Sequence, residues 1–151
     1  MVVATLVYVV EGGRVLLIRK KRGFGAGKVN GPGGKVRPGE DIYSAALREL
    51  REETGLEAGE LAYRGVLEFR DADGGPELTV HVFTADRYSG RLRESEEAGP
   101  FWADLERLPL DEMWEDDRLW LPHVLAGSRV YGRFLFEKNY GRLREWNLKF
   151  Y

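Results

Sequence analysis

Glu49, Glu52 and Glu53 stand at i, i+3 and i+4. On a helix of about 3.6 residues per turn this spacing sets three carboxylates on neighbouring positions of one face. Like charges so placed repel by roughly 0.2–0.5 kcal/mol per pair, and Arg48 and Arg51 offset part of that. A divalent cation turns the same crowding into a site, because a hard ion such as Mg²⁺ takes oxygen ligands, keeps several waters and is held by a few carboxylates together with substrate phosphates. Read alone, the run fits a solvated, salt-bridged helix face at least as well, the usual fate of a charge run.

The element that would carry these acids is well marked. Pro38-Gly39 breaks the preceding segment, and Asp41 is placed to cap the helix. Glu40 and Asp41 sit where the helix dipole favours negative charge. Ile42, Ala45, Ala46 and Leu50 form an apolar stripe that must face a core, which leaves the glutamates on another face. Gly55 is the expected stop just beyond the last turn.

The conjunction outweighs the bland reading. Gly34, Glu40, Arg48-Glu49-Leu50, Glu52-Glu53 and Gly55-Leu56 fall in the register G-x5-E-x7-R-E-U-x-E-E-x-G-U with U aliphatic, and all specified positions agree. The chain resembles the Nudix hydrolases through this box. The segment 20–31, Pro76-Glu77-Leu78 with Val80-His81-Val82-Phe83, and Met113-Trp114-Glu115-Asp116-Asp117 are similar to one branch of that family, the MutT-homologue hydrolases of oxidised purine nucleoside triphosphates, from about residue 6 onward.

The resemblance implies an α+β fold of the Nudix α/β/α sandwich type, with a central mixed sheet, the box helix after a Gly-rich loop and a second helix near 117–126. It implies a Mg²⁺-dependent pyrophosphohydrolase, with Mn²⁺ a possible substitute, that converts 8-oxo-dGTP or 2-hydroxy-dATP types of substrate to monophosphate and pyrophosphate and so sanitises the nucleotide pool. By the same resemblance Glu49 and Glu53 are the principal metal ligands, helped by Glu52, the Gly33 backbone carbonyl and Glu97. Glu53 is the best candidate to take a proton from water, although family members differ in which acid does so. Arg48 orients a glutamate and Glu40 braces the junction of loop and helix. Thr5, Lys20 and Phe24 join the substrate pocket by resemblance alone; on their own terms Thr5 is a strand residue and Phe24 a loop anchor.

Other residues have readings of their own. Lys35 follows the Gly-Gly turn and can reach a phosphate as a point charge, or simply be solvated. Asn30 offers donors and an acceptor to a base edge, or serves its turn. Trp114 offers a stacking face worth about 1–3 kcal/mol per base, or belongs to the core. Asp116 and Asp117 precede a helical run and can cap it; one or both can also read a purine edge, since two carboxyls near one site push one pKa upward so that a neutral acid can donate while an ionised one accepts, and the two roles can coexist, one Asp capping and the other reading. Glu97 lies in the acidic run Glu94-Ser95-Glu96-Glu97, which otherwise reads as surface. Val29 and Pro32 stand where the mammalian members carry aromatic residues, which thins one pocket wall.

The whole chain sets limits. Its 151 residues fit one domain, 1–151, with no linker-like stretch. It has no cysteine, so disulfides and thiolate metal sites are excluded. A net charge of −2 with interspersed signs argues against a stable nucleic-acid partner. The apolar run 2–10 is too short to span a bilayer and lacks a basic leader; a cytoplasmic monomer is expected. Strands are expected at 5–10 and 14–19 as a hairpin, at 61–69 and 78–85, near 100–102, and at 130–136 and 143–150, with 23–34 a long loop.

Competing motifs fail. The glycines at 23–27 lack the G-x-x-x-x-G-K-[ST] register, and His81 and His123 are too few for a zinc triad. Two rivals remain: a Nudix hydrolase for another nucleoside diphosphate derivative, such as a dinucleotide or ADP-ribose, and a nucleotide-binding Nudix domain that does not catalyse.

Overall fold

The computed structural model describes residues 1–151. Its elements are β1 (Val2–Glu11), β2 (Arg14–Lys20), β3 (Val29–Asn30), β4 (Gly33–Lys35), α1 (Ile42–Thr54), β5 (Leu56–Ala58), β6 (Ala62–Asp71), β7 (Leu78–Ala85), β8 (Tyr88–Gly90), β9 (Ala98–Asp104), α2 (Asp117–Leu125), β10 (Val130–Glu137) and β11 (Arg142–Phe150), with a short 3-10 turn at Leu110–Glu112.

Successive residues of a strand point to opposite faces, and β1 uses both. Val7 and Val9 pack with Leu16, Phe83, Ala46 and Leu50 beneath α1. Tyr8 packs with Val15, Leu17, Val82, Trp120 and Leu121 on the α2 side. A helix therefore covers each face of one sheet, whose order is β11-β10-β6-β7-β1-β2-β3, with β4 on β1 and β9 on β2. The sheet is mixed: β1 runs parallel to β7 and β10 parallel to β6, while β6–β7, β1–β2 and β10–β11 are antiparallel. This is the expected α+β sandwich. No helix is long and apolar enough to cross a membrane.

The box helix forms for the local reasons its sequence gives. Asp41 accepts the Ser44 N–H at 2.8 Å, and Gly55, at φ +83°, donates its N–H to the Arg51 carbonyl, the left-handed stop that a side chain would resist. Ala45, Ala46 and Leu50 are buried and Ile42 partly so.

Three details depart from expectation. The segment 23–34 is not loop throughout: β3 pairs with β2 and β4 with β1, the latter closing on β1 because Gly33 has no Cβ to meet the Thr5 carbonyl. The strand expected near 100–102 extends over Ala98–Asp104 along all of β2. The small β5–β8 pair gave no periodic signal, three residues being too few to alternate.

Candidate active site

A cavity of about 210 Å³ opens between the C-terminal end of α1 and the start of α2. Thr5, Lys20, Phe24, Asn30, Gly33, Lys35, Glu53, Trp114, Asp116 and Asp117 all line it. A larger open groove of about 630 Å³ across β6, β7, β10 and β11 contains none of the box residues.

At the helix end of the cavity, Glu53 is buried and accepts the Gly33 N–H at 2.7 Å. Burial pushes its carboxyl up to about 7; the Gly33 bond opposes this and the Glu49 charge adds to it. Glu49 is raised too, by burial first, against the pull of Arg48. Gly34 permits the approach, since a Cβ there would come 2.5 Å from the Glu49 carboxyl carbon.

Arg48 is the hub of this end. Its guanidinium bonds both Glu40 oxygens at 2.8 and 2.9 Å, Glu49 at 2.6 Å, Glu52 at 3.3 Å and the Lys35 carbonyl at 3.0 Å. Glu40 also accepts the Arg37 N–H, so it ties the loop to the helix. A planar fork makes these contacts and an ammonium cannot. Arg48→Lys is expected to lower the midpoint of urea unfolding and to cut turnover by about tenfold, measured on one preparation by denaturant titration and initial rates.

No three carboxylates converge into a finished ion cage. Burial raises Glu49 and Glu53, while Glu52 is half exposed and paired with Arg48 and Arg37. Glu97 is exposed and bonded by Arg22 at 2.7 and 3.0 Å, yet near enough that its charge raises Glu53. A buried acid and a partly buried one, a helical turn apart, offer carboxylate oxygens that suit a hard divalent ion, which would relieve the repulsion and desolvation that raise both pKa values.

Gly33 is fixed by its neighbour. A Cβ on it would overlap the Thr5 carbonyl, which no rotamer change relieves. Gly33→Ala is expected to cost about 3 kcal/mol or more, measured by urea unfolding, because β4 must move off β1 and take the Glu53 hydrogen-bond donor with it.

The opposite end carries different chemistry. Asp116 and Asp117 are both buried. Asp116 occupies the position before α2, but its side chain makes no capping bond; it accepts Trp120 Nε1–H at 2.7 Å. The capping role is therefore not taken up. Burial pushes Asp116 up to about 6 against the Trp120 bond, and burial followed by the Asp116 charge raises Asp117 well above the ordinary range. Asp117 Oδ2 has no hydrogen-bond partner. Burial thus holds both carboxyls towards the protonated form, and their mutual repulsion favours one proton shared by the pair, so that one can donate while the other accepts.

The rim is aromatic. Phe24, half exposed, stacks on Trp114 with ring centroids 5.2 Å apart, and the Lys28 ammonium lies 4.9 Å from the Trp114 ring centre. Asn30 Oδ1 accepts the Gly31 N–H, which leaves its amide hydrogens available. Tyr140 was not foreseen. It lines the cavity and meets Phe24, Trp114 and Phe136, held at φ +66° after two further left-handed residues, Lys138 and Asn139. Asp71 fixes that turn by accepting the Tyr140 N–H at 2.8 Å. Such strain gathers at functional sites, but nothing local in the sequence points the ring at a cavity. Trp120 was foreseeable, since it lies four residues after Asp116.

A NUDIX domain description matches residues 1–124. An oxidized purine nucleoside triphosphate hydrolase of Danio rerio is 50% identical over 133 residues, covering 88% of this chain and 85% of that protein. The Mus musculus protein of the same description is 47% identical over 134 residues, again covering 88% and 85%. Among solved structures, the mutator MutT protein of Bacillus halodurans superposes with a TM-score of 0.88 at 28% identity, covering 99% of this chain and 98% of that one.

Proposed function

The chain belongs to the NUDIX family, and on that premise we propose that it is a Mg²⁺-dependent pyrophosphohydrolase of oxidised purine nucleoside triphosphates, releasing monophosphate and pyrophosphate. One observation carries the choice of substrate: a single cavity joins the buried Glu53, next to Glu49 on the box helix, at one end to the buried Asp116 and Asp117 pair, both raised by burial, at the other. The first end suits phosphates and a cation, the second a purine edge. The names of the zebrafish and mouse relatives agree.

Glu49 and Glu53 would hold the ion, with Glu52, Glu97 and the Gly33 carbonyl completing its oxygen shell. When bound, Mg²⁺ supplies charge neutralisation for the phosphate oxygens and lowers the pKa of water. Arg48 keeps Glu49 and Glu52 from splaying. Glu53 is positioned by Gly33 and accepts the water proton in the ionised state that a neighbouring cation would favour. Lys20 and Lys35, which line the same cavity as Glu53, meet phosphate oxygens as point charges. At the far end Asp117 donates to the base and Asp116 accepts from it, Asn30 adds its amide, and Trp114 with Phe24 covers the ring.

The test is a panel of unmodified and oxidised purine triphosphates, ADP-ribose and a dinucleotide, each incubated with Mg²⁺ and resolved for pyrophosphate, phosphate and monophosphate. Oxidised purine triphosphates are expected to lead with pyrophosphate as co-product. Faster turnover of ADP-ribose or the dinucleotide would transfer the reading to that substrate class.

A further inference from the structure

Three buried side-chain polar atoms lack a hydrogen-bond partner: Thr5 Oγ1, Tyr8 OH and Asp117 Oδ2. Thr5 and Asp117 line the cavity itself. Tyr8 lies directly behind it, with no exposed surface. Gly31 forms the cavity wall there, and a Cβ on Gly31 would come 2.6 Å from the Tyr8 ring and 3.0 Å from its hydroxyl. On the other side Tyr8 meets Trp120 edge-on at 6.0 Å, the residue that bonds Asp116. Burial raises the Tyr8 pKa, and the charges of Asp117 and then Asp116 raise it further, so both carboxyls lie within electrostatic reach of the hydroxyl.

A buried hydroxyl and a buried carboxyl oxygen, both unpaired, are costly to leave so. A strand position on this face, packed among Val15, Leu17 and Val29, would be filled at no such cost by Leu or Phe. We propose that Tyr8 is a positioning residue of the purine pocket: its hydroxyl, joined to Asp117 through one buried water, fixes the orientation in which that carboxyl meets the base edge and so sets the preference among modified purines. A water so placed has the polar partners that buried waters require. The inference rests on the purine-reading role given to Asp117 above.

The test is Tyr8→Phe, which keeps the ring and removes the oxygen. For oxidised purine triphosphates KM is expected to rise about tenfold, the size of one lost hydrogen bond, with kcat unchanged. The ratio of kcat/KM between the 8-oxo-guanine and 2-hydroxy-adenine substrates should shift at least about threefold, and a pyrimidine triphosphate should be hydrolysed as before. Because Tyr8 acts through Asp117, the change should vanish when Tyr8→Phe is made in an Asp117→Asn background. An equal change on every substrate, no change on any, or an effect that survives in the Asp117→Asn background overturns the proposal. If wild-type protein shows no preference for oxidised purines, the functional reading fails and this inference with it; a preferring wild type with an unmoved Tyr8→Phe ratio removes this inference alone.

Discussion

Glu53→Gln should lower kcat by about 10²- to 10⁴-fold, the range for loss of a positioned general base, and should make the metal-free protein more stable above neutrality. Both effects have one cause. Glu53 is buried, and its folded-state pKa of about 7 lies above the ordinary 4.5. An acid whose pKa is raised on folding contributes most below its unfolded pKa, and that contribution is lost as pH climbs towards the folded value. The wild type should therefore lose stability between about pH 4.5 and 7, while the amide, which never ionises, does not. The gap between the two should open over that window to on the order of 2–3 kcal/mol in chelator-treated protein. The amide oxygen can still accept the Gly33 N–H, so the strand contact survives. Paired urea titrations at several pH values and initial rates with Mg²⁺ provide the measurement; near-normal turnover removes Glu53 from the mechanism.

Asp116→Asn should cost about 10²-fold in kcat/KM on oxidised purine triphosphates and no more than a few-fold on a generic triphosphate. The Trp120 N–H decides the outcome. It is bonded to Asp116 Oδ2, and after substitution it holds the amide oxygen, the only acceptor left. The amide nitrogen then turns to the cavity, so a donor replaces the acceptor that the base requires. The phosphate end, assembled on α1 and β4, is untouched. The loss should appear mainly in KM. Equal losses on both substrates would reject base reading by this residue and assign it to holding α2.

The parts of this molecule that were legible in the sequence are those whose physics is local. The Glu49, Glu52 and Glu53 spacing, the Asp41 cap and the Gly55 stop each concern residues within a turn or two, and the structure forms that helix between those limits. Alternation disclosed the long strands, since one period-2 stripe must face a core. Less legible was what comes together across the sheet. Tyr140 reaches the cavity because β10 runs parallel to β6 and Asp71 at the end of β6 clasps the following turn, a pairing between residues far apart in the chain. Asp116 had two readings open to it, capping and base reading. Its place before a helix suggests a cap, but a buried indole N–H one turn later competes for the carboxyl and takes it. The i, i+4 spacing of Asp116 and Trp120 was present in the sequence. What it lacked was any sign that Trp120 would be fully buried.

If Glu49 and Glu53 gather a divalent ion beside a triphosphate, Mn²⁺ binding followed by electron paramagnetic resonance will detect it at that pair. Titrated in the presence of a non-hydrolysable purine triphosphate, the wild type should immobilise Mn²⁺ far more tightly than a Glu49→Gln, Glu53→Gln double variant whose thermal melt shows it folded. Equal Mn²⁺ binding by the two proteins would show that Glu49 and Glu53 do not hold the ion.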